Sequence, residues 1–329
     1  MLRGKASDFP EKRITIEGIM KRTSVLALAF LVSSLPSFAA SLATAARSVI
    51  PHEVQQIINV DYRRMKNSDT AMQMKAKLMP PNMKQFEDAL KDIGVVVDRD
   101  IDQITLASFR TKGGLQIIGI AQGTFPRKKI YLKLTKDKIK GKKMNGSFVY
   151  PMSGGMSMVF LDNWTMLFGD QSAVKAALDA RDGSGMSLNA NEEVTDMIAS
   201  VDHGTVWSVL DSKGTQTMLK SALGTAADLQ EYNTMKNHLT GSHYSMDFDH
   251  GIDFNLNVVT SDNMTAATLS SLMKAGLLLK KMNATATEKT AIEDTAVDSD
   301  ADKLVVHFKA DDKSFQALLD SPMFAAVTH

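Results

Sequence analysis

The chain of 329 residues contains no cysteine. That absence removes disulfides, thiolate-held structural zinc, thiol nucleophiles and thiol redox chemistry together, so stability has to come from packing. Aromatic side chains are scarce, at 6%. Neither sign of charge prevails, the formal net charge being +1, so no global field draws the chain to nucleic acid or to a membrane. The interior is instead aliphatic and soft, with 21 methionines, an unbranched and adaptable residue. A methionine-rich recognition groove would set them in a stripe along one exposed helix face; no such stripe is present, and core filling is the reading they support. Long apolar runs are lacking too. The most apolar stretch, "MKRTSVLALAFLVSSLPSFAA" (residues 20–40), is interrupted by Ser33, Ser34 and Pro36 and falls short of the about 20 apolar residues that a membrane-crossing helix requires.

The same stretch has the three parts of a secretory signal: basic residues, an apolar run of roughly 7 to 15 residues, and small residues before a cleavage point. Lys21 and Arg22 supply the charge, Val25 to Leu35 the apolar run, and Ser37-Phe38-Ala39 or Ala43-Thr44-Ala45 the cleavage site. The preceding nineteen residues mix charges without an apolar period. They read as the product of a start codon placed too early, with Met20 the true start; a long basic leader is the alternative. No cysteine follows the apolar run, which excludes a lipid-anchored lipoprotein. The expectation is a cleaved, periplasmic or secreted protein with no transmembrane anchor in the mature chain. About 285 residues then remain, more than one core usually serves.

Along that remainder, Val54 to Met65 partly alternates as a strand does. Thr70 to Leu78 is helical, Pro80-Pro81 breaks it, and Met83, Phe86, Leu90 and Ile93 line a second helix closed by Gly94. "QITLASF" and "LQIIGIAQG" flank a glycine-containing turn, a hairpin signal. Residues 126–140 are ambiguous between helix and strand, and a helix is expected. Asp162-Asn163 makes a two-residue turn between strands apolar on both faces, which belong in a covered sheet. Asp170 and Asn191 are placed to cap two helices. A second round starts with the strand at Gly204–Asp211 and a helical stretch to about Asn237. The hairpin "HYSMDFDHGIDFNLNVV" follows, with Asp249 expected opposite Asp253 and one face apolar, the other wet. Asp262 caps a long helix to about Met282, residues 283–302 read as a polar linker, "KLVVHFKA" is the last strand, and Asp311 opens a terminal helix. The order strand, helix, hairpin, helix thus occurs twice. The expected fold is α+β: two similar units, each an antiparallel sheet with helices covering one face. Residues 1–45 are leader plus signal peptide, 46–202 the first unit and 203–329 the second.

Chemistry-bearing patterns are few. His243, Asp247, Asp249 and His250 gather on the polar face of the second hairpin, but residues two apart on a strand are about 7 Å apart, too widely spaced to share one metal ion, and a solvated sheet face is the reading favoured. "DSDADK" (298–303) has the alternating aspartates of a calcium loop but lysines at the sixth and twelfth positions, where glycine and a bidentate glutamate are needed. Ser153 sits among small residues, yet a strand rather than a helix follows, and no Gly-x-Ser-x-Gly occurs. No cofactor motif is present; the glycines of "GGLQIIGIAQG" are spaced along a strand, not a dinucleotide loop. One charge asymmetry stands out. Between residues 127 and 143, nine of seventeen residues are basic: Arg127, Lys128, Lys129, Lys133, Lys136, Lys138, Lys140, Lys142 and Lys143, against the single acid Asp137. This segment is the candidate binding site for an anionic envelope lipid or polymer; the alternative is a solvated edge that discourages strand pairing. Export argues against nucleic acid.

The runs "DIGVVVDRDIDQITLASF", "FLDNWTMLFGDQSAVKAALDAR" and "SLNANEEVTDMIASV" resemble segments of uncharacterised exported bacterial proteins in which a strand-rich unit is followed by an alanine-rich helix and a second, similar unit. The resemblance covers residues 50–210 and transfers no catalytic residue; it implies an envelope protein. Two functional expectations follow. The first is a non-enzymatic binding or interaction protein of the envelope, its partner an anionic lipid, a polymer or another envelope protein. The second is a hydrolase of an envelope polymer with a site between the two units.

Overall fold

In the computed structural model, which describes residues 41–78, 81–223 and 230–321, twelve strands join into one antiparallel sheet. The stretch through residue 40, read from the sequence as leader and export signal, lies outside the described residues. The first half of the chain contributes β1 (Val54–Asp61), β2 (Ile101–Thr111), β3 (Gly114–Gly123), β4 (Lys142–Met144), β5 (Ser147–Pro151), β6 (Ser157–Phe160) and β7 (Thr165–Gly169). The second contributes β8 (Val206–Asp211), β9 (Leu239–Asp247), β10 (Gly251–Thr260), β11 (Thr295–Asp300) and β12 (Lys303–Asp311). Their order across the sheet is β11-β12-β10-β9-β8-β1-β2-β3-β7-β6-β5-β4. The class is α+β, as the sequence pattern indicates.

Helices of the first half are α1 (Thr44–Val49), α2 (Tyr62–Met65), α3 (Asp69–Leu78), α4 (Pro81–Asp92), α5 (Val97–Asp100), α6 (Arg127–Lys136), α7 (Gln171–Arg181) and α8 (Glu192–Val201). Those of the second are α9 (Ser212–Leu223), α10 (Gln230–Met235), α11 (Asn263–Met282), α12 (Ala286–Glu293) and α13 (Asp312–Leu319).

Outward from the β1/β8 seam the two halves share one connectivity: β1-β2-β3-β7-β6 on one side, β8-β9-β10-β12-β11 on the other. The seam is antiparallel, with Ile58 opposite Ser208, so the sheet runs unbroken past residue 202. The physical reason lies in β8, which is buried from Val206 to Leu210 and would otherwise be an open apolar edge prone to pairing with other chains. Both seam strands end in an aspartate that turns the chain: Asp61 accepts from the Arg64 amide and Asp211 from the Gly214 amide.

Strand register sorts the side chains onto two faces. The A face carries Ile58, Leu106, Gly119 and Phe168 in the first half and Tyr244, Leu256 and Val306 in the second; the B face carries Ile57, Ala107, Ile118, Leu167 and Trp207. On the first half, α4 and α6 cover the A face, while α1, α7 and α8 cover the B face. The second half is covered on the A face, by α9, α10 and α11 at one end and by α3 and α13 at the other. The halves differ in the helix after the last hairpin: α7 packs on the B face, α13 on the A face. Consequently the B face of β10 and β12 presents Asp253, Asn255, Asn257, His307 and Lys309, half-exposed or exposed, which is the wet face its alternation indicates.

Several local expectations are corrected. In the β9–β10 hairpin Asp253 faces Asp247, not Asp249. The shift of two residues keeps every side chain on its expected face; it arises because Phe248 leaves the ladder to bury itself against Ile252 and Phe315, and His250 then takes a positive φ of 58°. Residues 283–302 are not a linker. Thr285 and Glu288 close a capping box that starts α12, and Thr295–Asp300 pairs with β12 as the edge strand β11. Asp170 stands at the N-cap of α7 without a side-chain bond to it, whereas Asn191 accepts from the Val194 amide as expected. The β6–β7 turn is wider than two residues: the Leu161 amide donates to the Thr165 carbonyl, and Asp162 accepts from the Trp164 and Thr165 amides.

Candidate functional site

Residues 127–136 form the helix α6, resolving the ambiguity in the sequence. Ile130 and Leu134 are buried against the A face, which turns the basic positions outward. Arg127 is an exception. Its guanidinium donates to Asn163 Oδ1 at 2.7 Å and to the Tyr131 hydroxyl at 3.1 Å, and it lies 5.2 Å from the Phe160 ring centroid. Arg127 is thus committed to the fold, tying α6 to the β6–β7 turn through hydrogen bonds and a cation–π contact.

Lys128, Lys129, Lys133, Lys136, Lys138, Lys140, Lys142 and Lys143 are all exposed. None forms an ion pair with a described residue, in contrast to Lys175, which pairs with Asp179 at 2.6 Å. Lys142 and Lys143 lie on β4, the three-residue outer strand of the sheet, where charge blunts an edge. Two large apolar side chains lie in the same region: Leu132 on α6 is 71% exposed and Phe148 on β5 is 57% exposed. Tyr131, beside Leu132, packs against Tyr150 with ring centroids 5.9 Å apart; Phe148 precedes Tyr150 by two positions on the same side of β5, about 7 Å along the strand, and stands opposite Lys143 of β4. Nearby, burial would raise the Asp100 carboxyl, but hydrogen bonds from Arg99 and the Val96 amide, with the charge of Lys129, hold it below the usual carboxylate range.

The other sequence constellations are dispersed. Asp247 Oδ1 accepts from the Thr205 amide and hydroxyl and from Arg64 at 2.8 Å, which commits it to joining α2 and β9. Asp249 and His250 are in the exposed turn. Asp298 pairs with Lys274 across to α11, and the Ser153 hydroxyl bonds Asp92 at 3.1 Å. One pairing was not anticipated: Ser200 Oγ lies 3.5 Å from His243 Nδ1. The Ser200 proton is donated to the Met197 carbonyl at 2.6 Å, so the imidazole meets a hydroxyl oxygen rather than a proton to abstract. Burial, followed by the charge of Lys303, pushes the His243 pKa down to about 4. This neutral histidine suits a packed sheet face.

Two of the cavities that open on the A face bear on function. One, of about 480 Å³, lies over β1, β2 and β3 against α4, with Ile58, Leu106, Ile117 and Phe168 beside Gln56 and Ser108. Its floor is Gly119, where any Cβ would run into the Phe168 ring. The other, of about 380 Å³, lies between the second half of the sheet and α3, α11, α12 and α13. Ser200 and His243 line neither.

No protein-family model matches the chain, and no curated protein matches it significantly. Among solved structures it is similar to TP0453. Crystal form I is 9% identical with a TM-score of 0.46, covering 89% of this chain and 100% of that one. Crystal form III is 8% identical with a TM-score of 0.48, covering 83% and 96%, and crystal form IV is 8% identical at 0.43, covering 87% and 99%.

Proposed function

We propose that this chain is an exported, non-enzymatic binding protein whose lysine-rich face on α6 and β4 docks on an anionic phospholipid surface of the cell envelope. The observation that carries the reading is eight exposed lysines without an ion-pairing partner among the described residues, with the exposed Leu132 among those of α6 and the exposed Phe148 opposite Lys143. Each lysine close to an anionic lipid surface contributes about 1 kcal/mol. Leu132 and Phe148 favour lipid over an acidic polymer, since apolar side chains gain by entering the headgroup boundary. Among the described residues no helix is long and apolar enough to cross a membrane, in keeping with surface attachment. The hydrolase reading has less support: Ser200 and His243 line neither cavity described above, and the cavity nearest the seam offers amides, Ser108 and the single carboxylate Asp170 without a histidine. The shared connectivity of the two halves supports internal duplication as their origin.

The test is co-sedimentation with vesicles of phosphatidylglycerol and phosphatidylcholine, compared with phosphatidylcholine alone. Binding is expected to the anionic vesicles only, to weaken with added salt, and to fall at least tenfold when Lys128, Lys129, Lys133 and Lys136 are changed together to glutamate. Equal binding to neutral vesicles, or undiminished binding by that variant, would sink the reading.

A further inference from the structure

The cavity of the second half differs in kind from the lysine-rich face. In the first half the layer between the A face and α6 is filled by rings, Phe125 packing edge-on to Phe160 and Tyr131 contacting both Phe160 and Tyr150, and the cavity beside α4 has Gln56, Ser108, Gln116 and Asp170 in its lining. In the second half the corresponding layer holds about 380 Å³ of space, walled by Met246, Phe254, Leu277, Ile292 and Phe308. That volume falls within the range of about 300–1,000 Å³ typical of small-molecule sites.

Only two lining side chains are polar, Thr295 and Lys280. Thr295 donates its hydroxyl to the Ala291 carbonyl at 2.7 Å and offers no proton to a ligand. Lys280 is different. Of the three lysines along the end of α11, Lys274 pairs with Asp298 at 3.2 Å and Lys281 with Glu293 at 2.6 Å, while Lys280, an exposed residue that lines the cavity, has no ion-pairing partner among the described residues. Apolar walls and a single unpaired cation at the edge match one class of molecule.

We infer that this cavity binds the alkyl chain of a single-chain amphiphile whose monoanionic head pairs with Lys280. A wholly apolar ligand would leave the ammonium unused, and a cationic head would be repelled by it. A fatty acid and a lysophospholipid share the required chemistry, and the measurement separates them. The site is independent of the lysine-rich face, which lies at the opposite end of the sheet.

The test is isothermal titration of the folded protein, below micelle-forming concentrations, with octanoate, decanoate and dodecanoate. Affinity should rise about fourfold for each methylene that enters the cavity. Decyltrimethylammonium should bind at least tenfold more weakly than decanoate. Lys280→Glu, at an exposed position that leaves the fold intact, should abolish that preference. Ala291→Phe, which fills the cavity from α12, should weaken every chain at least tenfold while keeping the circular dichroism of the parent. If Ala291→Phe does not fold, Lys280→Glu decides the matter. Lysophosphatidylglycerol with a twelve-carbon chain, titrated beside dodecanoate, identifies the natural source by the tighter binding of the two. Absence of dodecanoate binding overturns the inference, as does a carboxylate preference that survives Lys280→Glu or an unchanged affinity in a folded Ala291→Phe variant.

Discussion

His243 and Arg127 illustrate how a side chain read as chemistry becomes structure once its surroundings are known. His243 belongs to a polar alternation in the sequence, yet the neighbouring α8, with Met197 packed in the same cluster as Trp207 and Val209, helps to close over the inner end of the strand and leaves the imidazole buried. With its folded pKa lowered to about 4 by burial and then by Lys303, against an ordinary value of 6.5, the unfolded chain takes up the proton first as pH falls. Stability should therefore decline between about pH 6.5 and pH 4 and no further on this account. Because water still reaches part of the ring, the loss is on the order of 1–2 kcal/mol. Urea midpoints at pH 7 and pH 4.5 should differ in the parent and differ much less in His243→Gln; an unchanged difference would remove His243 as the source. Arg127 carries the same lesson in reverse: composition counted it with the lysines, but its planar, multiply donating head fits Asn163, Tyr131 and Phe160 together, as an ammonium would not.

At the scale of elements, the polar stretch 283–302 is the instructive failure. Its composition is that of a linker, and α12 and β11 bury little: Glu288 and Val297 are their buried residues. The start of α12 was nevertheless legible, because Thr285 and Glu288 stand at capping-box spacing. Thr285 accepts from the Glu288 amide at 3.3 Å and Glu288 accepts from the Thr285 amide at 2.7 Å. Thr285→Ala should lower stability by about 1 kcal/mol, read as a shifted urea midpoint with an unchanged slope; no shift would mean that α12 is held by its tertiary contacts alone. For β11 no equivalent signal existed. An edge strand is protected by charge rather than marked by apolar alternation, and Asp298, Ser299 and Asp300 look like a loop until Val305, Leu304 and Lys303 are seen across from them.

For the molecule as a whole, the seam between β1 and β8 makes one sheet of two similar halves, and the chain's beginning is tied to it. Leu42, Ala46, Val49 and Ile50 are buried in the B-face core with Ile57 and Trp207, and Arg47 Nε donates to the Leu42 carbonyl at 3.2 Å. Of the two cleavage sites readable in the sequence, the one after Ala45 would remove Leu42 and cut α1 in its first turn. The one after Ala39 would spare both. Mass spectrometry of the protein from fractionated cells is expected to find Ala40 as the first residue in the periplasmic or secreted fraction. A terminus at Ala46 would require this corner of the core to be dispensable, and an uncleaved chain in the cytosol would overturn the export proposal.

Sequence alone determined what depends on neighbours along the chain. Alternation in β2, β3, β9 and β12, the caps at Asn191, Asp262 and Asp311, and the period of Phe86 and Leu90 in α4 follow from local sterics and hydrogen bonding, which act over a few residues. So does the α+β class. Only the tertiary structure decided that β8 pairs with β1, that α7 and α13 pack on opposite faces, that Phe248 breaks the β9–β10 ladder, and that Lys280 stands at an apolar cavity without an ion-pairing partner among the described residues while its neighbours are engaged. Each of these depends on which distant surfaces compete for the same apolar area or the same charge, and that competition is settled only when the whole sheet is assembled.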